Sequence, residues 1–289
     1  MSQPGIHAAQ MPPDGLPGLD PAWSRLIEAR DADGVLRTWH VLDNGPSRTT
    51  PVSLTLLCVH GNPTWSYLWR GVLAAAPDDI RVVAVDHPDM GYSERTGTTR
   101  RLAQRIEDLS AVSGALGITG PVVTVAHDWG GPISLGWALA HRPQLRGVVL
   151  LNTAVHQPEG SPAPSVIRLA RSAPLLHLNT VATPTFVGGT TALSTPRLAK
   201  PVVSAFAAPY GSADRREAIG AFVADIPLEP DHPSATALDA IAEGIRDLAD
   251  VPALFLWGPG DPVFSDRYLA DLLGRMPHAD VQRYEGARH

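Results

Sequence analysis

At 289 residues and 44% apolar content, the chain is long enough for one large domain with a sizeable core and an insertion. A net charge of −6 with no basic run argues against nucleic-acid binding. The single cysteine, Cys58, cannot form an internal disulfide and reads as a small buried strand residue, and no Cys/His spacing fits a metal site.

The first residues lack the charged-then-apolar pattern of a secretory signal. No stretch approaches the roughly 18 consecutive apolar residues of a membrane span. A cytoplasmic protein without a transmembrane segment is expected, with residues 1–20, rich in Pro and Gly, as a flexible leader.

Residues 24–43 alternate around an Asp33-Gly34 turn and predict an antiparallel hairpin. The continuous apolar run 52–59 predicts a strand buried on both faces. It ends in the loop H-G-N-P-T-W-S-Y-L-W-R (60–70), with a helix starting near Trp65 and reaching Leu73. Residues 80–86 form another buried strand, followed by the loop H-P-D-M-G-Y-S-E (87–94) and an amphipathic helix over 101–116. A strand from Val122 meets a turn at Ala126–Gly130 and a helix follows at once; 146–152 is the next strand. Strands alternating with helices at this spacing imply an α/β fold with a mostly parallel, doubly wound sheet.

The rhythm breaks near Val155. Residues 155–232 are rich in Pro, Ser, Thr and Ala and contain no buried-strand run. Helical stretches at 166–178, 198–206 and 216–223 point to an inserted helical cap, because so long a structureless loop is unusual in a compact domain. A helix over 238–248 leads back to a strand at 251–257, a helix at 267–276 and a short strand at 280–284. The expected organisation is a leader (1–20), a core in two parts (21–153 and 233–289) and a cap (154–232).

The turn at 126–130 has the form small-x-Asp-x-small, the shape of a nucleophile elbow with Asp128 at the nucleophile position. Small residues are needed because strand and helix pass close on either side of a strained residue. Gly130 and Gly131 also leave backbone N–H groups free near a helix N-terminus. Asp is a good helix cap too, so the turn alone does not decide between the readings. The rest of the chain does. His60–Asn62, Asp128–Trp129 and Asp261 all follow strands, and His289 follows a fourth. The carboxyl ends of parallel strands share one rim, so these loops converge. The order nucleophile, acid, histidine is the α/β-hydrolase order. Asp86, Asp89 and Asp266 read as turn or capping residues. His60 and His127 read as orienting loops, and His87 as structural.

The motifs H-G-N-P-T-W-S-Y-L-W-R, A-H-D-W-G-G, W-G-x-x-D-P-V-F and a late G-x-x-H resemble the haloalkane dehalogenase branch of the α/β-hydrolases, over nearly all of residues 24–289. The resemblance implies Asp128 as nucleophile, Asp261 as the acid holding His289, and Asn62 and Trp129 as side-chain donors to the leaving anion. It also implies the backbone N–H groups of Trp129 and of the residue after His60-Gly61 as an oxyanion hole, and no cofactor. Some members place the acid after the strand ending near Asn152; an amide stands there, which favours Asp261.

Within the branch, epoxide hydrolases need two cap tyrosines, and this cap holds only Tyr210. Fluoroacetate dehalogenases carry H-G-aromatic-P in place of H-G-N-P. The segment A-I-x-x-F-V-x-D-I-P-L (218–228) followed by H-P-S is most similar to the cis-β-lactone decarboxylase family of bacterial long-chain olefin biosynthesis. That likeness implies conversion of dialkyl β-lactones to cis-olefins and CO2. A haloalkane dehalogenase is the runner-up, and an epoxide hydrolase or a non-catalytic hydrolase-like binding protein with a decayed site is the weaker alternative. Because the chain ends on His289, it is expected to be the N-terminal part of a fusion with an ATP-dependent β-lactone synthetase, which would also be its partner.

Overall fold

The computed structural model describes residues 6–45, 50–158, 160 and 162–289; residues 1–5 of the expected leader lie outside them. The first part of the core comprises β1 (Ser24–Arg30), β2 (Leu36–Asp43), β3 (Leu54–Val59), α1 (Arg70–Ala75), β4 (Ile80–Val85), α2 (Leu102–Ala115), β5 (Val122–His127), α3 (Gly130–Ala140) and β6 (Leu145–Leu151). Then come α4 (Ser165–Arg171), α5 (Ala173–His177), α6 (Thr185–Leu193), α7 (Lys200–Ala207), α8 (Glu217–Ala224) and α9 (Ala235–Gly244). The chain returns through β7 (Ala253–Trp257), α10 (Asp266–Arg275) and β8 (Asp280–Arg283).

The eight strands form one sheet in the order β1-β2-β4-β3-β5-β6-β7-β8. The β1–β2 and β2–β4 pairs are antiparallel and the other five are parallel. The chain steps from β3 outward to β4, then returns to place β5 on the other side of β3. That reversal opens a crevice beyond the carboxyl ends of β3 and β5, where ligands bind in open α/β sheets.

The period-2 alternation of strand side chains divides the apolar runs between two faces. Leu57, Val59, Val83 and Val85 join the large cluster with residues of α2, α3, α9 and α10. Cys58, Val82, Ala84 and Val125 join a smaller one with Trp69 and Leu73. Each fully buried Val or Leu contributes about 1.5–3 kcal/mol relative to exposure. Burial pushes the Cys58 thiol up, as expected of an inert packing residue.

The structure departs from the sequence reading in three places. Residues 6–20 are not a loose leader. Gln10 N–H donates to the Tyr92 carbonyl (2.9 Å), Tyr67 Oη donates to the Pro17 carbonyl (2.6 Å), and Leu16 and Leu19 pack on the core. The helix expected over 166–178 is broken at Ser172, whose backbone is extended (φ −63°, ψ 130°). Proline at position 174 has no N–H to carry the helix through. A π-helical turn, Leu178–Ala182, follows. Finally, α6 forms from T-F-V-G-G-T-T-A-L, a poor helix sequence, with Val187 buried.

Candidate active site

Asp128 occupies the turn between β5 and α3 with φ 54°, a left-handed conformation that a non-glycine residue adopts only under constraint. The constraint is visible around it. Asp128 N–H donates to the Asn152 carbonyl (3.1 Å), and the Asp128 carbonyl accepts from Thr153 Oγ1 (2.6 Å) and Gly131 N–H (2.9 Å). Glycines make the room. A Cβ on Gly61 would lie 2.2 Å from Asp128 Oδ1, and one on Gly130 would lie 2.2 Å from the Val59 carbonyl oxygen.

The Asp128 carboxylate accepts from the backbone N–H of Asn62 at Oδ1 (2.7 Å) and from the backbone N–H of Trp129. These are the two main-chain donors expected of the oxyanion hole. Burial pushes the Asp128 carboxyl above its ordinary value, although His289 and the two N–H groups pull the other way.

Asn62 Nδ2 donates to the Ile219 carbonyl of α8 (3.1 Å), which leaves its second N–H available; Asn62 Oδ1 is buried without a partner among the described residues. Trp129 sits at the start of α3, its ring 5.8 Å from Phe222 in an edge-on contact. Asn62 comes from the loop after β3 and Trp129 from the turn after β5, and the backbone N–H of each is bonded to the Asp128 carboxylate.

Asp261, after β7, accepts from the N–H groups of Val263 (2.7 Å) and Phe264 (3.1 Å) at Oδ1. Its Oδ2 is 2.8 Å from His289 Nδ1. Burial would raise Asp261, but the His289 hydrogen bond and charge, with the two amides, hold it below its ordinary value. Burial likewise works against a charged His289. Asp261 and the nearby Asp128 outweigh it and raise the imidazole. The ring lies between His127 (4.6 Å) and Phe264 (5.8 Å, stacked). Thus all five residues singled out from the sequence converge on one rim.

The neighbouring polar groups have other partners. Asn152 bridges β6 and β7 through both ends of its amide, donating to the Gly258 carbonyl (2.9 Å) and accepting from Gly258 N–H (2.8 Å). His60 and His87 hold each other's loops: His60 Nε2 accepts from His87 N–H (3.2 Å), and His87 Nε2 lies 2.9 Å from the His60 carbonyl. Burial drives His127 down to about 3, with His289 adding to the effect. Asp86 ties the 60–70 and 87–94 loops by accepting from Ser66 and Tyr92 N–H groups, and Asp89 receives Thr96 and Gly97. Asp266 pairs with Arg283 (2.8 Å). The Ile219 carbonyl and Phe222 were not assigned from the sequence. A main-chain acceptor leaves no residue signature, and Phe222 reads as one more apolar residue of a helix.

A cavity of about 110 Å³ opens from Asp128 and Trp129. Its walls are mostly apolar (Pro132, Ala154, Ile167, Ile226, Leu238, Phe264), with His156, Gln157 and Tyr268 as polar members. Tyr268 Oη donates to Gln157 Oε1 (2.8 Å).

An eight-stranded, mostly parallel sheet with a nucleophile elbow and an acid–histidine pair at its carboxyl rim defines an α/β-hydrolase fold, and the family profile described as "alpha/beta hydrolase fold" matches residues 55–289. The chain belongs to this family. Its relatives are more particular. It is 34% identical to a cis-3-alkyl-4-alkyloxetan-2-one decarboxylase of Xanthomonas campestris pv. campestris, covering 86% of this chain and 85% of the relative. A Shewanella oneidensis protein of the same name is 32% identical over 81% of this chain and 76% of the relative. Haloalkane dehalogenase 2 of Mycobacterium tuberculosis is 37% identical over only 44% of this chain and 42% of the relative. The fold of haloalkane dehalogenase DpaA from Paraglaciecola agarilytica superimposes with a TM-score of 0.80 at 19% identity, covering 97% of this chain and 93% of that one.

Proposed function

We propose that the protein is a cis-β-lactone decarboxylase, converting cis-3-alkyl-4-alkyloxetan-2-ones to cis-alkenes and CO2. The observation that carries this reading is the likeness to the Xanthomonas decarboxylase over 86% of the chain, where the dehalogenase sequence likeness covers 44%. The site supports it chemically. A buried carboxylate held by two main-chain amides is oriented to attack an electrophilic sp³ carbon beside an apolar cavity.

In this mechanism Asp128 Oδ2 bonds to the lactone β-carbon and inverts it. The β-carbon–ring-oxygen bond breaks, and its electron pair leaves on the new substrate carboxylate. The Asn62 amide and the Trp129 indole N–H receive that anion, in a buried site where such donors act strongly. The bond from the α-carbon to the carboxylate then breaks. Its electrons form the alkene, CO2 departs, and the Asp128–carbon bond breaks to restore the carboxylate. Inversion followed by anti elimination gives the cis alkene. No water is consumed, so His289, held by Asp261, acts on the charge of the site rather than on an ester.

The second reading is a haloalkane dehalogenase, favoured by the same Asn62 and Trp129 donors with a halide in place of the carboxylate. An epoxide hydrolase is disfavoured because Tyr210 Oη is engaged by the Thr64 carbonyl (2.9 Å) and Gly91 N–H (3.2 Å). A decayed site is disfavoured by the intact Asp261–His289 pair. The decarboxylase reading implies a cytoplasmic setting and an ATP-dependent β-lactone synthetase as partner, fused or separate. The test offers a long-chain cis-β-lactone and a bromoalkane in parallel. Cis alkene from the lactone is expected; bromide release without alkene would overturn the assignment.

A further inference from the structure

The first half of the cap carries a charge pattern unlike the rest of the chain. Residues 160–213 contain no Asp or Glu, yet they include Arg168, Arg171, Arg197 and Lys200, the last being the only lysine in a chain of net charge −6. The same segment turns large apolar side chains to water. Val166 is 42% exposed, Leu169 60% and Leu178 50%, three of the ten exposed large hydrophobics among the described residues. Val166 and Leu169 are three apart on α4 and share one face. Arg168 beside them is exposed, as is His177 beside Leu178. Arg171 pairs with Glu229.

A single exposed leucine needs no explanation. What distinguishes this cluster is where it stands. Ile167 on α4, with Ala163 and Pro164 just before the helix, lines the cavity that reaches Asp128. One short helix therefore presents apolar groups both to the cavity and to solvent. Shallow apolar side chains interspersed with basic residues match the headgroup region of a bilayer. There Val and Leu enter the acyl boundary, while arginine stems snorkel so that the guanidinium meets lipid phosphate.

We propose that the α4–α5 face of the cap docks on an anionic phospholipid bilayer, setting the cavity mouth against a reservoir of apolar substrate. The identity of that substrate rests on the decarboxylase reading; the docking does not.

Vesicle flotation tests this with the whole chain. Phosphatidylcholine vesicles are compared with vesicles containing about 30% phosphatidylglycerol, at low and high salt. The protein is expected to float with the anionic vesicles, more weakly at high salt, and poorly with the neutral ones. Leu169→Glu and Arg168→Glu are each expected to lower the bound fraction about fivefold or more. Both positions are exposed, so thermal unfolding of these variants should match the parent and exclude misfolding as the cause. Asp128→Asn should float like the parent although it loses alkene formation, which separates docking from chemistry; a parent protein that floats but forms no alkene would overturn the function and leave the docking standing. Absence of flotation with anionic vesicles, or flotation of Leu169→Glu equal to the parent, would overturn the docking.

Discussion

Burial pushes the Asp128 carboxyl up, and the Asn62 and Trp129 amides with His289 pull against it. The nucleophile is ionised only above that raised value, so activity should fall as pH drops through it. Asp128→Asn removes the attacking charge while keeping the shape, and alkene formation should drop by at least about 10³-fold, measured by product quantitation under single-turnover conditions. The histidine distinguishes the two chemistries. Asp261 and Asp128 raise His289 above its ordinary value, so the imidazolium persists to higher pH than in a free histidine. Hydrolysis of an alkyl-enzyme ester needs the neutral base and would decline as pH falls below that raised value. Decarboxylation needs no base, so the pH profile of alkene release should show the Asp128 ionisation alone, with no second limb from His289. A second ionisation in alkene release that disappears in His289→Ala would count against the mechanism. The residues behind these predictions are legible in the sequence because each is a chemically distinctive group just after a strand. What fixes them is less legible. Asn62 is held by the Ile219 carbonyl, and a backbone acceptor from another element has no one-letter signature.

The sheet core is legible at the scale of elements for a physical reason: strands buried on both faces must be runs of branched apolar residues, and β3, β4, β5 and β6 are. The cap is not. Its helices are short, and α6 contains two glycines and four threonines or valines, so propensity argues against it and tertiary packing decides. Main-chain carbonyls left by such short elements need partners, and Arg216 supplies several. It is buried, donating through Nε to the Val181 carbonyl (2.9 Å) and through its terminal nitrogens to the carbonyls of Tyr210 (2.8 Å) and Ala182 (3.2 Å). It thereby joins the π-helical turn to the start of α8. Arg216→Met keeps much of the volume but leaves those acceptors without the guanidinium. The expected loss is about 3 kcal/mol, concentrated in the cap. Hydrogen exchange should quicken around 178–182 and 208–224 while β3, β5 and β6 stay protected; unchanged cap exchange would show that Arg216 is not the tie.

Across the whole molecule, the hairpin edge of the sheet is fastened to the helical layer by buried ions rather than by apolar packing alone. Asp31, in the turn of the hairpin, accepts from Arg37 Nε (3.0 Å) and Arg100 Nη2 (2.7 Å), and from the N–H groups of Asp33 and Val35. Arg100 also reaches Asp108 on α2, and Arg37 reaches Glu94 (2.9 Å). All of these residues except Asp33, Val35 and Glu94 are buried. Replacing such a network by apolar groups can be neutral, but removing one member leaves charge uncompensated in the interior. Asp31→Ala takes a carboxylate partner from two buried guanidinium groups at once, leaving Arg37 with Glu94 and Arg100 with Asp108, so it should cost about 3–5 kcal/mol. At roughly 2 °C per kcal/mol for a chain of this size, the midpoint of thermal unfolding should fall by about 6–10 °C. The pH dependence has a definite sign. Burial alone would raise Asp31, but Val35, Arg37 and Arg100 lower it below its ordinary 3.8. Its folded form therefore holds its proton less tightly than the unfolded chain does. The stability it contributes is fully present above the unfolded value and is lost as pH falls through the lowered one. Parent and Asp31→Ala melting curves should accordingly lie furthest apart at neutral pH and draw together below about pH 4. A gap that stays constant from neutral pH down to that range would mean that the carboxylate's charge is not what holds the edge.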